Sequence, residues 1–514
     1  MMRLLREWRD GVSPPVFVMA ATFNTAVIVF GAVWTGTATD VFAATLDFVT
    51  RWFGWYYVVL VSFFLVFVVW LMFSRHGDIR LGAADEETEF GYAAWISMLF
   101  AAGMGLGLVF WGVAEPLSHY QDPPRAEPGT TAAVQEAMRF AFFHWGFHPW
   151  AIYIIFALGL AFYHFRHGLP LAPRSLLYPL VGDRIHGWIG HFTDAFCVVG
   201  TLLGVATSLG LGAMQISSGL ASLVGTTGGV RTQIIVIAVI TIIATTSTVT
   251  GVGRGIRLLS LANVGLMALL MLFVFLAGPT LFQLELLVTS LGDYLQNVVE
   301  TSLWIDLREG VSWQSEWTRF YWGWWISWSP FVGVFVARIS RGRTLREFVT
   351  CVFFAPALAN FLWFAIFGGA ALHAELHDGA ELAARVQEDV ALSLHLLLGS
   401  LPWAALTQWV GLALVVIFFI TSSDSGSFVD DMVTCGGNPD PPTANRVFWG
   451  ISEGAAAAVL LLAGGLNALQ TASVSAGLPQ SLLLVLACVG LVRALRAEDR
   501  SRGVVATEKL TEGA

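Results

Sequence analysis

Residues 320–333 read FYWGWWISWSPFVG, and residues 101–112 read AAGMGLGLVFWG. Both lie in long apolar surroundings, and both carry residues that an uninterrupted helix avoids. The first holds Gly323 and Pro330; the second alternates Gly103, Gly105 and Gly107. In a helix interior each glycine costs roughly 1 kcal/mol relative to alanine, and each proline about 3 kcal/mol. Such clusters mark a helix that unwinds or that is approached closely. Unwound backbone exposes N–H groups that hold an anion and carbonyls that hold a cation. Inverted-repeat membrane folds use broken spans at corresponding positions of two halves in this way, near the bilayer midplane. Close packing through small residues is the other reading of the glycines taken alone.

Working outward, the 514 residues are 56% hydrophobic and 12% charged, with a mean hydropathy of +0.70. Soluble domains carry about 25% charged residues, so the chain is read as an all-α polytopic membrane protein. Windows of roughly 20 apolar residues suffice to cross a bilayer. Twelve are expected, at 16–33, 55–73, 92–113, 140–163, 195–223, 233–250, 258–281, 321–338, 348–370, 402–422, 446–465 and 471–493. The first is read as a span and not a cleaved leader, because no convincing A-x-A site closes it. The stretch 282–307 keeps a helical period but is interrupted by Glu285, Asp293, Asn297 and Glu300, which predicts an amphipathic helix on the outer surface.

Arginine sets the orientation. Arg3, Arg6 and Arg9 precede span 1; Arg75 and Arg80 follow span 2; Arg166, Arg174 and Arg184 follow span 4; Arg254 and Arg257 follow span 6. Arg338, Arg341, Arg343 and Arg346 follow span 8, whereas the segment His373–Val390 has five acids against Arg385. The positive-inside rule then puts both termini in the cytoplasm. A net charge of -9 with Lys509 the lone lysine argues against nucleic acid as a partner. The four cysteines are scattered without a C-x-x-C pair, so neither a disulfide framework nor a zinc ribbon is indicated.

The chain has 21 Trp against 9 Tyr. On span 8, Trp324, Trp325 and Trp328 are spaced to cover one broad helix face. Span 4 adds Trp145, Trp150 and Tyr153 from HWGFHPWAIY. Ring faces from two spans can form a cage for a quaternary ammonium, worth ~0.5–2 kcal/mol per good contact. The cation is expected to be held without any buried acid.

These residues are part of a wider resemblance. GMGLGLVFWGVAEPLSHY, HWGFHPWAIY, TSLGLGAMQI, WTRFYWGWWISWSPFVGVFVARISRGRTLREF and FFITSSDSGS resemble the betaine/carnitine/choline transporter family, over about residues 75 to 490. The resemblance implies twelve transmembrane helices in a LeuT-type five-plus-five inverted repeat preceded by two extra helices. The divisions are then a tail at 1–15, the two extra helices at 16–91, the first repeat at 92–281, the surface helix at 282–307, the second repeat at 308–493 and a tail at 494–514.

Carried over residue by residue, the family's aromatic box falls on Trp145, Trp150, Tyr153 and Trp325, with Trp324 and Trp328 lining the path. The glycine stretch Gly103, Met104, Gly105 and Gly107 lies where the substrate carboxylate is accommodated. A coupling sodium ion is implied between spans 3 and 10, on Ala101, Met104, Phe418, Thr421 and Ser422. A second sodium position uses hydroxyls near Thr201 together with Phe331, but Val205 stands where the second hydroxyl is expected. Choline-type members carry an acid at or near Gly107, and its absence favours a zwitterion.

The expectation is therefore a secondary active transporter importing a zwitterionic compatible solute with sodium, with no other cofactor. The solute is glycine betaine, carnitine, ectoine, proline betaine or dimethylsulfoniopropionate. The resemblance also implies a homotrimer in a bacterial cytoplasmic membrane. Proton-coupled or sodium-independent exchange is the first rival, and a channel or membrane enzyme the second. GISEG at 450–454 lacks the strand and turn of a nucleophile elbow. The pairs His144/His148 and His373/His377 lack the Glu of H-E-x-x-H, so packing or surface roles are preferred to zinc. Asp424 is read either as an ion or proton site or as a cap at the end of span 10.

Overall fold

The computed structural model describes residues 11–103, 105–250, 253–307 and 313–512, with side chains described over 11–100, 105–247, 259–307 and 313–499. Arg3, Arg6, Arg9, Met104 and the side chains of Ala101, Arg254 and Arg257 lie outside these residues, as do parts of both expected tails.

Within them the chain is helical, with an isolated bridge between Arg80 and Thr344 as the sole β pairing. The principal helices are α1 (Pro14–Val33), α2 (Thr35–Phe73), α3 (Tyr92–Gly103), α4 (Leu106–Gln121), α5 (Thr131–Trp145), α6 (Phe147–Ala161), α7 (Trp188–Val224) and α8 (Gly229–Thr250). They continue with α9 (Gly253–Ala277), α10 (Thr280–Gln296), α11 (Val298–Leu303), α12 (Thr318–Arg338), α13 (Leu345–Trp363), α14 (Gly369–His377), α15 (Ala404–Thr434) and α16 (Thr443–Glu512). Nine helical runs among the described residues are long and apolar enough to cross a membrane. α16 covers the two windows expected at 446–465 and 471–493, and it departs from helical geometry at Gly464 and Gly465.

The runs divide into an inner and an outer set. The most apolar window of Thr131–Arg166 is 100% buried inside the protein, that of Gly229–Ser247 only 17%. Outer helices expose Val18, Phe23, Ile242 and Leu269. Apolar side chains facing outward from a bundle of this composition fit a hydrocarbon solvent, where a helix satisfies its own backbone.

One end of the bundle gathers the arginines. Arg75 pairs with Asp499 at 2.8 Å, Arg341 with Glu86 at 2.7 Å, Arg346 with Asp78 at 3.3 Å, and Arg166 with Glu498. The Ser13 amide donates to the Thr434 carbonyl at the same end, 2.8 Å away. The start of α1 and the ends of α2, α12, α15 and α16 are thus tied together, which places the two ends of the described chain on one side.

The amphipathic helix expected at 282–307 forms in two pieces, α10 and α11. Gln283, Leu286, Ser290 and Tyr294 form its buried face. Arg139 clamps Asp293 through two bonds, at 2.6 and 3.1 Å.

Of the two readings of span 8, unwinding or close approach, the structure takes the second: α12 runs unbroken through Gly323 and Pro330. Proline removes the N–H that would reach the Ile326 carbonyl, and the Ser329 hydroxyl donates to that oxygen instead, at 2.7 Å. Gly323 serves close approach: a Cβ there would stand 2.6 Å from Val474 Cα in α16. Gly323→Val forces that backbone apart, and overpacking of this kind costs about 1–3 kcal/mol. The variant is expected to lose several degrees of melting temperature in detergent, read by size-exclusion survival after heating; an unchanged curve would show the contact to be unimportant.

Candidate functional site

Span 3 breaks where its glycines are. α3 ends at Gly103, and Gly105 caps α4 in an extended conformation, φ −137° and ψ −172°. The first N–H groups of α4 have no carbonyl one turn before them, so the helix start presents donors and a positive dipole end. Span 4 breaks too, at Gly146 between α5 and α6, a break that the sequence reading did not expect.

Between these breaks and α12 lies a cavity lined by Gly105, Gly107, Leu108, Trp145, Pro149, Trp150, Tyr153, Trp324, Trp325, Trp328 and Asn360. All six expected aromatics and two of the expected glycines thus meet at one place. Trp325 stacks on Trp324, with ring centroids 4.6 Å apart and planes 13° apart, while Trp145 meets Trp325 edge-on at 4.9 Å and 75°. Tyr153 stands edge-on to Trp325 at 6.3 Å and to Trp150 at 5.4 Å. This is a corner of ring faces and edges, which attracts a cation electrostatically.

Three polar groups on the same lining residues are unpaired. The Trp324 and Trp328 indole nitrogens and the Tyr153 hydroxyl are buried without hydrogen-bond partners. Unpaired buried donors are costly, and a carboxylate accepts several at once. Gly107 has a packing role as well: a Cβ there would lie 2.6 Å from Trp324 Cη2 and 3.2 Å from Trp145 Cη2. Any side chain at Gly107 displaces an indole, so an acid there would alter the cage and not merely its charge.

The expectation of a cage without a buried acid is corrected. Glu115, fully buried on α4, stands directly behind it. Its Oε2 accepts from Trp145 Nε1 at 2.7 Å and from the Tyr321 hydroxyl at 2.5 Å. Oε1 meets His144 Nδ1 at 2.7 Å and His119 Nε2 at 3.2 Å. A carboxylate acceptor makes His144 Nδ1 the donor, so Nε2 accepts from the Thr318 hydroxyl at 2.9 Å. Ligand atoms of Glu115, His119 and His144 lie within 4.8 Å of one another, but His144 and both carboxylate oxygens are already engaged within the network. The signal for it was present as an intramembrane Glu with His four residues on, beside the glycine stretch. His148 likewise has buried partners, Ser302 at 2.8 Å and Tyr294 at 3.3 Å.

The residues implied for sodium are described only in part. Met104 lies outside the described residues, and of Ala101 and Gly103 only the helical backbone is described. Phe418 is buried on α15, where the Thr421 hydroxyl donates to the Ile417 and Phe418 carbonyls at 3.0 and 3.2 Å. Ser422 is half-buried beside it. Thr201 is buried on α7, and Phe331 packs on Trp328 at 5.2 Å. Val205 packs against Gly426, whose Cβ would lie 2.8 Å away. Asp424 sits well inside α15, which removes its reading as an end cap. Ser452 of GISEG lies in α16, with no strand before it.

Glu115→Leu strands the Trp145, Tyr321 and two histidine donors in the interior at about 1–3 kcal/mol each. The expected result is a collapse of folded yield, with Glu115→Gln recovering the fold. Equal yields for both variants would refute the tethering role.

The sequence matches the model of the betaine/carnitine/choline family transporters over residues 15–500. An uncharacterized transporter of Mycobacterium bovis is 47% identical over 94% of this chain and 82% of its own length. A glycine betaine transporter of Bacillus subtilis is 43% identical over 94% of this chain and 95% of its own. A glycine betaine/proline/choline/ectoine transporter of Vibrio parahaemolyticus is 42% identical, over 96% and 89%. A family match across nearly the whole chain, joined to a cavity walled by the residues that carried the resemblance, makes this protein a member of the betaine/carnitine/choline transporter family, a transporter and not an enzyme.

Proposed function

We propose that the chain imports a zwitterionic compatible solute of the glycine betaine type, by secondary active transport with alternating access to the aromatic cavity. The observation that carries this reading is the pairing within one cavity of a ring corner for a cation with unpaired N–H and O–H donors for a carboxylate. Relatives named for glycine betaine transport support it. Substrate-binding roles go to Trp145, Trp150, Tyr153, Trp324, Trp325 and Trp328, with the α4 start at Gly105 and Gly107 taking the carboxylate end.

The coupling ion of this reading is sodium, held by backbone and hydroxyl oxygens at Ala101, Met104, Phe418, Thr421 and Ser422. Hard oxygen donors of this kind suit a small cation. The topology of the reading is twelve spans with two ahead of a five-plus-five inverted repeat, both termini cytoplasmic, in the bacterial inner membrane as a homotrimer. The shared end of the bundle and its arginine pairs support that orientation.

Proton coupling is the second reading, favoured by one observation. The carboxyl oxygens of Asp430 and Asp431 on α15 are buried without a hydrogen-bond partner, and the carboxyl of Glu453 on α16 is bonded through Oε2, to Ser427 at 2.9 Å. Intramembrane acids of this sort mark ion or proton pathways by default.

Counterflow of labelled glycine betaine in proteoliposomes separates the two. Sodium replacement by potassium is expected to abolish accumulation, and uptake that instead follows a proton gradient would transfer the coupling to the acids. Trp325→Ala is expected to lower saturable uptake by about tenfold or more, from the loss of its ring contact. Normal uptake by a folded Trp325→Ala protein would rule out the cage.

A further inference from the structure

Among the unpaired side-chain atoms of the described lining, one can only accept a hydrogen bond, while the Tyr153 hydroxyl can give or take one. Trp324 and Trp328 offer unpaired N–H donors, whereas Asn360 on α13 offers an unpaired acceptor. Its Nδ2 donates to the Trp145 carbonyl at 2.8 Å, and its Oδ1 is buried and accepts from nothing. The amide orientation follows from chemistry: turned over, Oδ1 would face the Trp145 oxygen, two acceptors at hydrogen-bond distance.

Its position follows from the break in span 4. Trp325 Nε1 donates to the His144 carbonyl at 2.9 Å, and Asn360 takes the next carbonyl along, that of Trp145. The free oxygen belongs to a cavity-lining residue tied to the backbone beside Trp145 and Trp325, the rings assigned above to the cationic end of a zwitterion.

We propose that Asn360 is a specificity-determining residue that admits cationic groups bearing an N–H, such as an amidinium or a partly methylated ammonium, beside fully methylated ones. This rests on the reading of the cavity as a zwitterion site. A quaternary ammonium has no donor and is met by ring faces alone. A cation with an N–H surrenders a hydrogen bond to water on entry, and a wall of rings would leave that donor unpaired. Asn360 returns the bond, and as a neutral amide it does so without placing a second charge in the cage. Sites that pair a substrate N–H discriminate by whether the pairing is made.

The test compares glycine betaine with N,N-dimethylglycine, which replaces one methyl by N–H, and with ectoine as an amidinium, titrated by calorimetry onto the purified full chain. In the natural protein the dimethylated ligand is expected to bind within about tenfold of glycine betaine. In Asn360→Leu the ratio of the two affinities is expected to move against dimethylglycine and ectoine by about tenfold, the effect of one unpaired buried donor. Asn360→Asp, which keeps an acceptor, is expected to hold the ratio at or below that of the natural protein. A ratio independent of residue 360, with glycine betaine still binding, overturns the inference alone. So does exclusion of dimethylglycine by more than about a hundredfold in the natural protein, a result that needs no variant to fold. Failure of all three ligands to bind overturns the cavity reading and the inference with it.

Discussion

Glu115 is the fixed point around which the cavity is organised. A carboxylate in a hydrocarbon-like interior costs several kcal/mol unless its oxygens are fully engaged, and here each oxygen meets two donors, from α4 itself, α5 and α12. Charge-assisted bonds of this length are roughly twice as strong as neutral ones. The network determines the position of the Trp145 ring, because the indole N–H points at Oε2. It also holds Tyr321 against His144, with ring centroids 4.6 Å apart. The start of α12, reached through Thr318, is bound to the same cluster. The ring faces offered to a cation are thus backed by a negative charge that makes no direct contact with the cavity.

Backbone breaks and close contacts divide the work of the glycines. α3 ends at Gly103 and α4 begins after an extended Gly105, so the start of α4 lies at the cavity, which Gly105, Gly107 and Leu108 help to line. At Gly323 the chain stays helical, and the missing side chain admits the α16 backbone. One residue type serves both purposes, because the absence of Cβ relaxes both the dihedral and the packing constraint. Gly107 combines helical geometry with contact, since two indoles rest where its side chain would be.

Much of the architecture was legible along the chain. Apolar windows of bilayer length marked the nine long apolar runs of the described residues, while the expected windows 92–113 and 321–338 are not among those runs. The aromatic residues of the cavity were legible because they cluster at helical spacing on 144–153 and 320–333. The roles of Glu115 and Asn360 were not, although both stand as polar residues in apolar runs and Glu115 carries a local signal in His119 four residues on. A single polar residue in a span carries no periodic signal, and its role depends on which neighbours face it. The Gly146 break was equally hidden, one glycine among 52. Which of unwinding and close approach applies to span 8 was hidden for a related reason: whether proline interrupts a helix depends on whether a neighbour, here Ser329, takes up the freed carbonyl.

By itself the sequence determined the polytopic membrane class, most of the long apolar runs and the two aromatic segments, because these are properties of composition and local spacing. Tertiary structure alone decided that α4, α6, α12 and α13 converge on one cavity, that Trp145 is held by Glu115, and that the Asn360 oxygen is left unpaired beside the cage. Those features join residues hundreds of positions apart, such as Glu115 with Tyr321 and Trp145 with Asn360. Hydrogen bonds in a low-dielectric interior select their partners by geometry in space, which no one-dimensional pattern records.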